Sequence, residues 1–139
     1  MTNEKRLIII ADDDADDVML ITEALRDAGF AGRIKSVENG FELIEELNHG
    51  SVHADLVLLD LSMPKMSGHE ALKRIRSCLK SLPIVVHSTS CSRTDISICY
   101  RTGANSYVVK APSYDGLMQN MKSIVDYWFR TASLPPEIA

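Results

Sequence analysis

Four places in the sequence put a reactive side chain at the end of an apolar run. Residues 11–17 read ADDDADD, five carboxylates within six positions, directly after the apolar Leu7–Ile10. Asp60 closes LVLLD, Ser88 closes IVVHS and Lys110 closes SYVVK. Carboxylates at this density repel one another unless a cation sits among them. A donor set of oxygens, without His or Cys, selects a hard cation, Mg²⁺ first. Mg²⁺ uses one or two protein carboxylates, keeps waters, and takes further oxygens from a phosphate. One carboxylate is then left as a nucleophile, and carboxylates do accept phosphoryl groups as aspartyl-phosphates. Lys110 can neutralise charge on the transferred group and Ser88 can donate a hydrogen bond to it. Phosphoryl transfer asks for that combination of positioning and charge neutralisation.

Convergence of these residues requires a particular scaffold. Short β-rich runs, LIIIA (7–11), IKSV (34–37), LVLLD (56–60), IVVHS (84–88) and SYVVK (106–110), alternate with segments of helical period. Three of the runs are nearly continuous in apolar residues, as suits strands covered on both faces of a parallel sheet. Val18, Ile21, Thr22, Leu25 and Ala28 recur at helical spacing, with Gly29 as a stop. Asn39 and Ser67 each precede a glutamate by three, a capping arrangement; Ser92 and Ser113 are expected to cap the next two helices. Five β-α units with right-handed crossovers predict an α/β three-layer sandwich. In such sheets ligands sit at the carboxyl ends of the strands, where Asp12, Asp13, Asp60, Ser88 and Lys110 all fall.

Other readings of the acidic stretch compete. Asp12, Asp14 and Asp16 alternate, and Glu23 stands twelfth from Asp12, as in an EF-hand calcium loop. The sixth place is Asp17, though, where that loop needs Gly, and the preceding residues read as a strand. An acidic cap at a helix N-terminus accounts for Asp14, Asp16 and Asp17; it does not account for Asp12 and Asp13. A nucleotide-binding turn would be rich in Gly rather than acidic. A phosphohydrolase with an aspartyl nucleophile would show DxD, whereas Leu61 and Ser62 follow Asp60.

Composition sets the outer limits. The chain has 139 residues, 45% of them hydrophobic, which suits one domain with a sizeable core. A net charge of −4, without a Lys/Arg cluster, gives no reason to expect nucleic-acid binding. No apolar run is long enough to span a bilayer, and MTNEKR holds no signal-peptide apolar segment. Cys78, Cys91 and Cys99 are odd in number and lack a CxxC, so a reduced cytoplasmic setting is expected, with all three at least partly buried. The four histidines, His49, His53, His69 and His87, show no metal-ligand spacing.

Together, IIIADDDADD, LVLLDLSMPKMSG, PIVVHSTS and GANSYVVK resemble the four signature segments of receiver domains of two-component response regulators. The resemblance runs from about residue 5 to residue 126. It implies a flavodoxin-like (βα)5 fold with sheet order 2-1-3-4-5. It further implies that Asp60 accepts a phosphoryl group from a sensor histidine kinase. Asp13 and Asp60 would bind Mg²⁺, Asp12 would do so through water, and the Ser62 carbonyl would add a ligand. Ser88 would be the switch hydroxyl and Tyr107 the aromatic that turns with it. In this family Ser62 and Ser90 occupy the variable places that tune dephosphorylation. One departure stands out: Ala111, not proline, follows Lys110. A non-proline cis bond costs about 3 kcal/mol, so the Lys110–Ala111 bond is expected to be trans.

Residues 1–126 are read as the receiver domain and 127–139 as an extension too short for a second domain. A stand-alone signalling protein follows, catalysing only its own phosphorylation and dephosphorylation; a relay to a histidine phosphotransfer protein is the alternative. In the tail, Leu117, Met121, Ile124, Val125 and Trp128 form a core-facing stripe. Tyr127, Trp128 and Phe129 cannot all share it at about 100° per residue, so at least one faces outward. The YW followed by LPP is similar to the extension of response regulators that partner phytochrome-type photoreceptor kinases. That group commonly dimerises through the last strand, last helix and tail.

Overall fold

The computed structural model describes residues 5–49 and 53–136. Five strands, β1 (Leu7–Ala11), β2 (Arg33–Val37), β3 (Leu56–Leu59), β4 (Ile84–Ser88) and β5 (Ser106–Val109), alternate with five helices. The helices are α1 (Ala15–Asp27), α2 (Gly40–His49), α3 (Gly68–Cys78), α4 (Arg93–Thr102) and α5 (Tyr114–Asp126). All four strand pairings are parallel and the order is β2-β1-β3-β4-β5. The three apolar runs are the three central strands, every residue of which is buried.

Alternation along each strand divides the core in two. Leu7, Ile9, Val57, Leu59, Ile84 and Val86 pack with α2, α3 and α4 residues such as Leu43, Leu72 and Cys99. Ile8, Ile10, Leu56, Leu58 and Val85 pack with α1 and α5 residues such as Leu25 and Met121. The expected caps form. Glu42 N–H donates to Asn39 Oδ1 at 2.9 Å while the Glu42 carboxylate accepts from Glu38 N–H, and Ser67, Ser92 and Ser113 cap α3, α4 and α5. Gly29, at φ +93°, ends α1. Because α1 starts at Ala15, residues 12–23 form a strand-to-helix turn and not a calcium loop.

Three expectations change. Cys78 and Cys91 are exposed, at the end of α3 and in the β4–α4 loop, and only Cys99 is buried. β3 and β5 end at Leu59 and Val109, so Asp60 and Lys110 lie one residue beyond them. The α-helical period does not continue through the aromatic trio either. Residues Tyr127–Thr131 form a π turn, closed by Ala132 N–H on the Tyr127 carbonyl at 2.6 Å. The wider turn lets Trp128 and Phe129 both pack on the α1/α5 core, Phe129 with its ring centroid 4.9 Å from that of Phe30, while Tyr127 is 54% exposed. Among the described residues no peptide bond is cis, so Lys110–Ala111 is trans, and no helix is long and apolar enough to cross a membrane.

Candidate functional site

Sheet register delivers the reactive side chains to one edge. Ala11 pairs with Leu59, Leu59 with Val86, and Ser88 with Val109. The ladder bonds continue one residue further: Asp12 N–H to the Val37 carbonyl at 3.0 Å, Asp60 N–H to Ala11 at 2.9 Å, and Lys110 N–H to Ser88 at 2.7 Å. Backbone bonding thus anchors Asp12, Asp60 and Lys110 although their side chains leave the core. The loop after Asp60 is pressed against α3, where Gly68 N–H donates to the Leu61 carbonyl at 2.9 Å. A Cβ at Gly68 would strike the Asp60 carbonyl oxygen and lie 2.7 Å from Leu61 Cα, so only glycine fits there.

Asp12 and Asp60 are buried at 3% and 7% exposure, and Asp13 is exposed beside them. One carboxylate oxygen from each of the three lies within 4.8 Å of the others. Lys110 Nζ reaches Asp12 Oδ2 at 2.8 Å and Asp60 Oδ2 at 3.4 Å. Burial raises the Asp60 pKa above the ordinary carboxylate value; the Lys110 charge pulls it down, the Asp12 charge pushes it up, and the Ser62 N–H offsets part. Burial alone would lower the Lys110 pKa, but its bonds to Asp12 and Asp17 and the charges of Asp12 and Asp60 raise it above the usual lysine value. The cluster stays short of positive charge, and its donors are all oxygen. Both features fit a hard divalent cation.

Ser88 is buried and its Oγ accepts from Ser90 N–H at 3.2 Å. Tyr107 is half-buried; its hydroxyl donates to the Ser90 carbonyl at 2.8 Å and its N–H to Tyr100 Oη at 3.0 Å. Ser62 is exposed in the loop after Asp60, its N–H 3.4 Å from Asp60 Oδ1.

Sequence reasoning missed two residues. Asp17, assigned to a solvated helix cap with Asp14 and Asp16, instead pairs with Lys110 at 2.8 Å. Asp14 is the true cap, accepting from Asp16 and Asp17 N–H. Asp17 and Lys110 are 93 positions apart, so no local spacing signalled the pairing. His87 is the other: it is buried, and burial, then the Lys110 charge, lowers its pKa to about 4 against a smaller upward pull from Asp17. It follows Val85 by two, so it faces α1 and α5, where it lines a cavity of about 220 Å³ with Asp17, Lys110 and Leu117.

A family model described as "Response regulator receiver domain" matches residues 8–122. The "Probable methanogenesis regulatory protein FilR2" of Methanothrix harundinacea is 34% identical over 88% of this chain and 83% of its own. Response regulator Rcp1 of Synechocystis sp. is 28% identical over 96% of each. Among solved structures, the phosphorylated cyanobacterial phytochrome response regulator RcpA matches with a TM-score of 0.89 at 35% identity, covering 94% of this chain and 99% of that one. The Mn²⁺-bound form of Rcp1 matches with a TM-score of 0.87, covering 94% and 99%. An edge whose acids fit a divalent cation thus meets a matching family: the chain belongs to the response-regulator receiver family, whose members take a phosphoryl group from a histidine kinase onto an aspartate.

Proposed function

We propose that Asp60 is the phospho-acceptor, and that the protein is a cytoplasmic switch read by a partner rather than an enzyme with a substrate of its own. The observation that carries this is the juxtaposition at one strand end: Asp60 buried, two further carboxylates within 4.8 Å, and one ammonium at 3.4 Å. A carboxylate oxygen of Asp60 attacks the phosphorus of a phosphohistidine; the P–O bond forms as the P–N bond breaks, and the imidazole leaves with a proton from solvent. Asp13 and Asp60 would hold Mg²⁺, with Asp12 acting through water and the Ser62 carbonyl completing the set. The ion would neutralise the carboxylates and the phosphoryl oxygens. Lys110 neutralises charge on the transferred group, Ser88 donates a hydrogen bond to it, and Tyr107 follows Ser88 through their shared contacts with Ser90.

The similarity to RcpA and Rcp1 over nearly the whole chain supports a phytochrome-type sensor kinase as the donor. The tail supports a homodimer through β5, α5 and the π turn. Tyr127, Tyr100 and Val109 are exposed at 54%, 49% and 40%, and a groove of about 520 Å³ runs between Val108, Asn120, Ile124 and Tyr127. Three free cysteines agree with a reducing compartment. In the test, acetyl phosphate with Mg²⁺ adds one phosphoryl group to the protein and none to Asp60→Asn. Sedimentation at high micromolar concentration gives a dimer that truncation after Asp126 weakens; a monomer there removes the dimer from the account.

A further inference from the structure

The end of β4 carries three hydroxyls in a row, Ser88, Thr89 and Ser90; Thr89 is exposed, and the hydrogen bonds of the other two differ. Ser88 Oγ accepts from Ser90 N–H at 3.2 Å, and among the described residues no acceptor takes its proton. Ser90 Oγ has its single proton committed: it donates to Asp95 Oδ2 at 2.6 Å, and it accepts from Ser92 N–H at 3.2 Å. The other Asp95 oxygen lies 3.1 Å from His69 Nε2, and His69 Nδ1 lies 3.7 Å from Cys99 Sγ. An ionised carboxylate only accepts, so the ring nitrogen facing it, Nε2, is the donor. Both oxygens of Asp95 are therefore engaged, and the bond from Ser90, then that from His69, holds its pKa below the ordinary carboxylate value. A chain of contacts runs from α3 (His69) through α4 (Asp95) to the β4–α4 loop (Ser90), with β5 joining it through Tyr107.

We propose that Asp95 is a positioning residue for the lifetime of the phosphoryl group. By taking the Ser90 hydroxyl proton and holding that hydroxyl toward α4, it leaves Ser88 as the buried hydroxyl donor at this strand end and keeps Ser90 from assisting the attack on phosphorus. The inference rests on Asp60 being the acceptor. In hydrolysis the Asp60 Oδ–P bond breaks as a water oxygen bonds to phosphorus; the carboxylate is regenerated and the water's hydrogens leave with the phosphate. A hydroxyl free to accept from that water and to donate to a phosphoryl oxygen assists this step. One whose only proton is held by Asp95 cannot donate to the phosphoryl oxygen.

The test follows loss of the phosphoryl group, by mass spectrometry, after acetyl phosphate is removed. Releasing one hydroxyl is expected to speed loss about five-fold in Asp95→Ala, the effect of one hydrogen bond. Asp95→Asn, whose carbonyl still accepts from Ser90, restores slow loss, and Asp95→Ala/Ser90→Ala decays like Ser90→Ala alone. His69→Ala, which loosens Asp95 without removing it, gives a smaller acceleration that Ser90→Ala also abolishes. Wild-type decay in Asp95→Ala, or acceleration that persists without Ser90, overturns the proposal; the latter marks a general loosening of α4. Failure of the wild type to label on Asp60 overturns the acceptor assignment and this proposal with it, whereas normal labelling with an unchanged Asp95→Ala lifetime overturns this proposal alone.

Discussion

The two ends of the parallel sheet each bury aspartate, and they treat it differently. At the amino end Asp55 is 4% exposed. One of its oxygens takes Arg6 Nη1 at 3.0 Å and the other takes Leu7 N–H at 2.9 Å. At the carboxyl end Asp12 and Asp60 are about as buried, with Asp13 and Asp17 beside them, and Lys110 alone among the described residues pairs with the group. One acid with its own guanidinium and backbone donor is a closed set that ties β1 to the start of β3. Four acids around one ammonium form an open set, stable enough to fold and still short of a cation. The functional end is marked by incomplete compensation of charge rather than by burial.

The largest effect should come from removing the cation at each end. Lys110→Ala and Arg6→Ala are each expected to lower folding stability by about 3 kcal/mol in metal-free buffer, the result of stranding a buried carboxylate. Mg²⁺ should return much of the loss in Lys110→Ala and none in Arg6→Ala, as measured by urea denaturation with and without the ion. Equal rescue, or none at either end, would erase the distinction.

Next comes His87, the buried imidazole of the carboxyl half. Its folded pKa of about 4 lies below the unfolded 6.5, so the unfolded chain binds the proton first. Stability fully present above pH 6.5 is then lost as pH falls toward 4, by about 3 kcal/mol. His87→Leu should remove that share of the acid sensitivity, read as the pH dependence of urea denaturation; an unchanged pH dependence would contradict it.

A smaller effect sharpens the contrast in the opposite sense. Because burial and Asp12 raise the Asp60 pKa, its ionised form destabilises the metal-free fold. Asp60→Asn is expected to raise stability without metal by about 1 kcal/mol, whereas Asp55→Asn lowers it. A destabilised Asp60→Asn protein would contradict the open-set description.

Much of this was legible in the sequence because the determinants are local. Apolar runs named the three central strands, and Asn39, Ser67, Ser92 and Ser113 announced their helices. Strand-end position alone gathered Asp12, Asp13, Asp60, Ser88 and Lys110. What stayed hidden depends on side chains meeting across the fold. Asp17 reaches Lys110, 93 residues away, while its neighbours Asp14 and Asp16 behave as an ordinary helix start. The contacts from His69 through Asp95 to Ser90 join α3 to the β4–α4 loop, and no spacing in the chain encodes them. The π turn after Asp126 also escapes periodicity, because it is set by the fit of Trp128 and Phe129 onto the α1/α5 core and by Arg130, which donates to the Ala28 carbonyl at 3.2 Å.

The central claim is that the open acid set exists to hold a divalent cation beside one esterifiable carboxylate. Peptide mapping after acetyl phosphate treatment, run with Mg²⁺ and with a chelator, tests it most directly. The account predicts one phosphoryl group on Asp60, formed only when Mg²⁺ is present. A label on another residue, or equal labelling in the chelator, would contradict it.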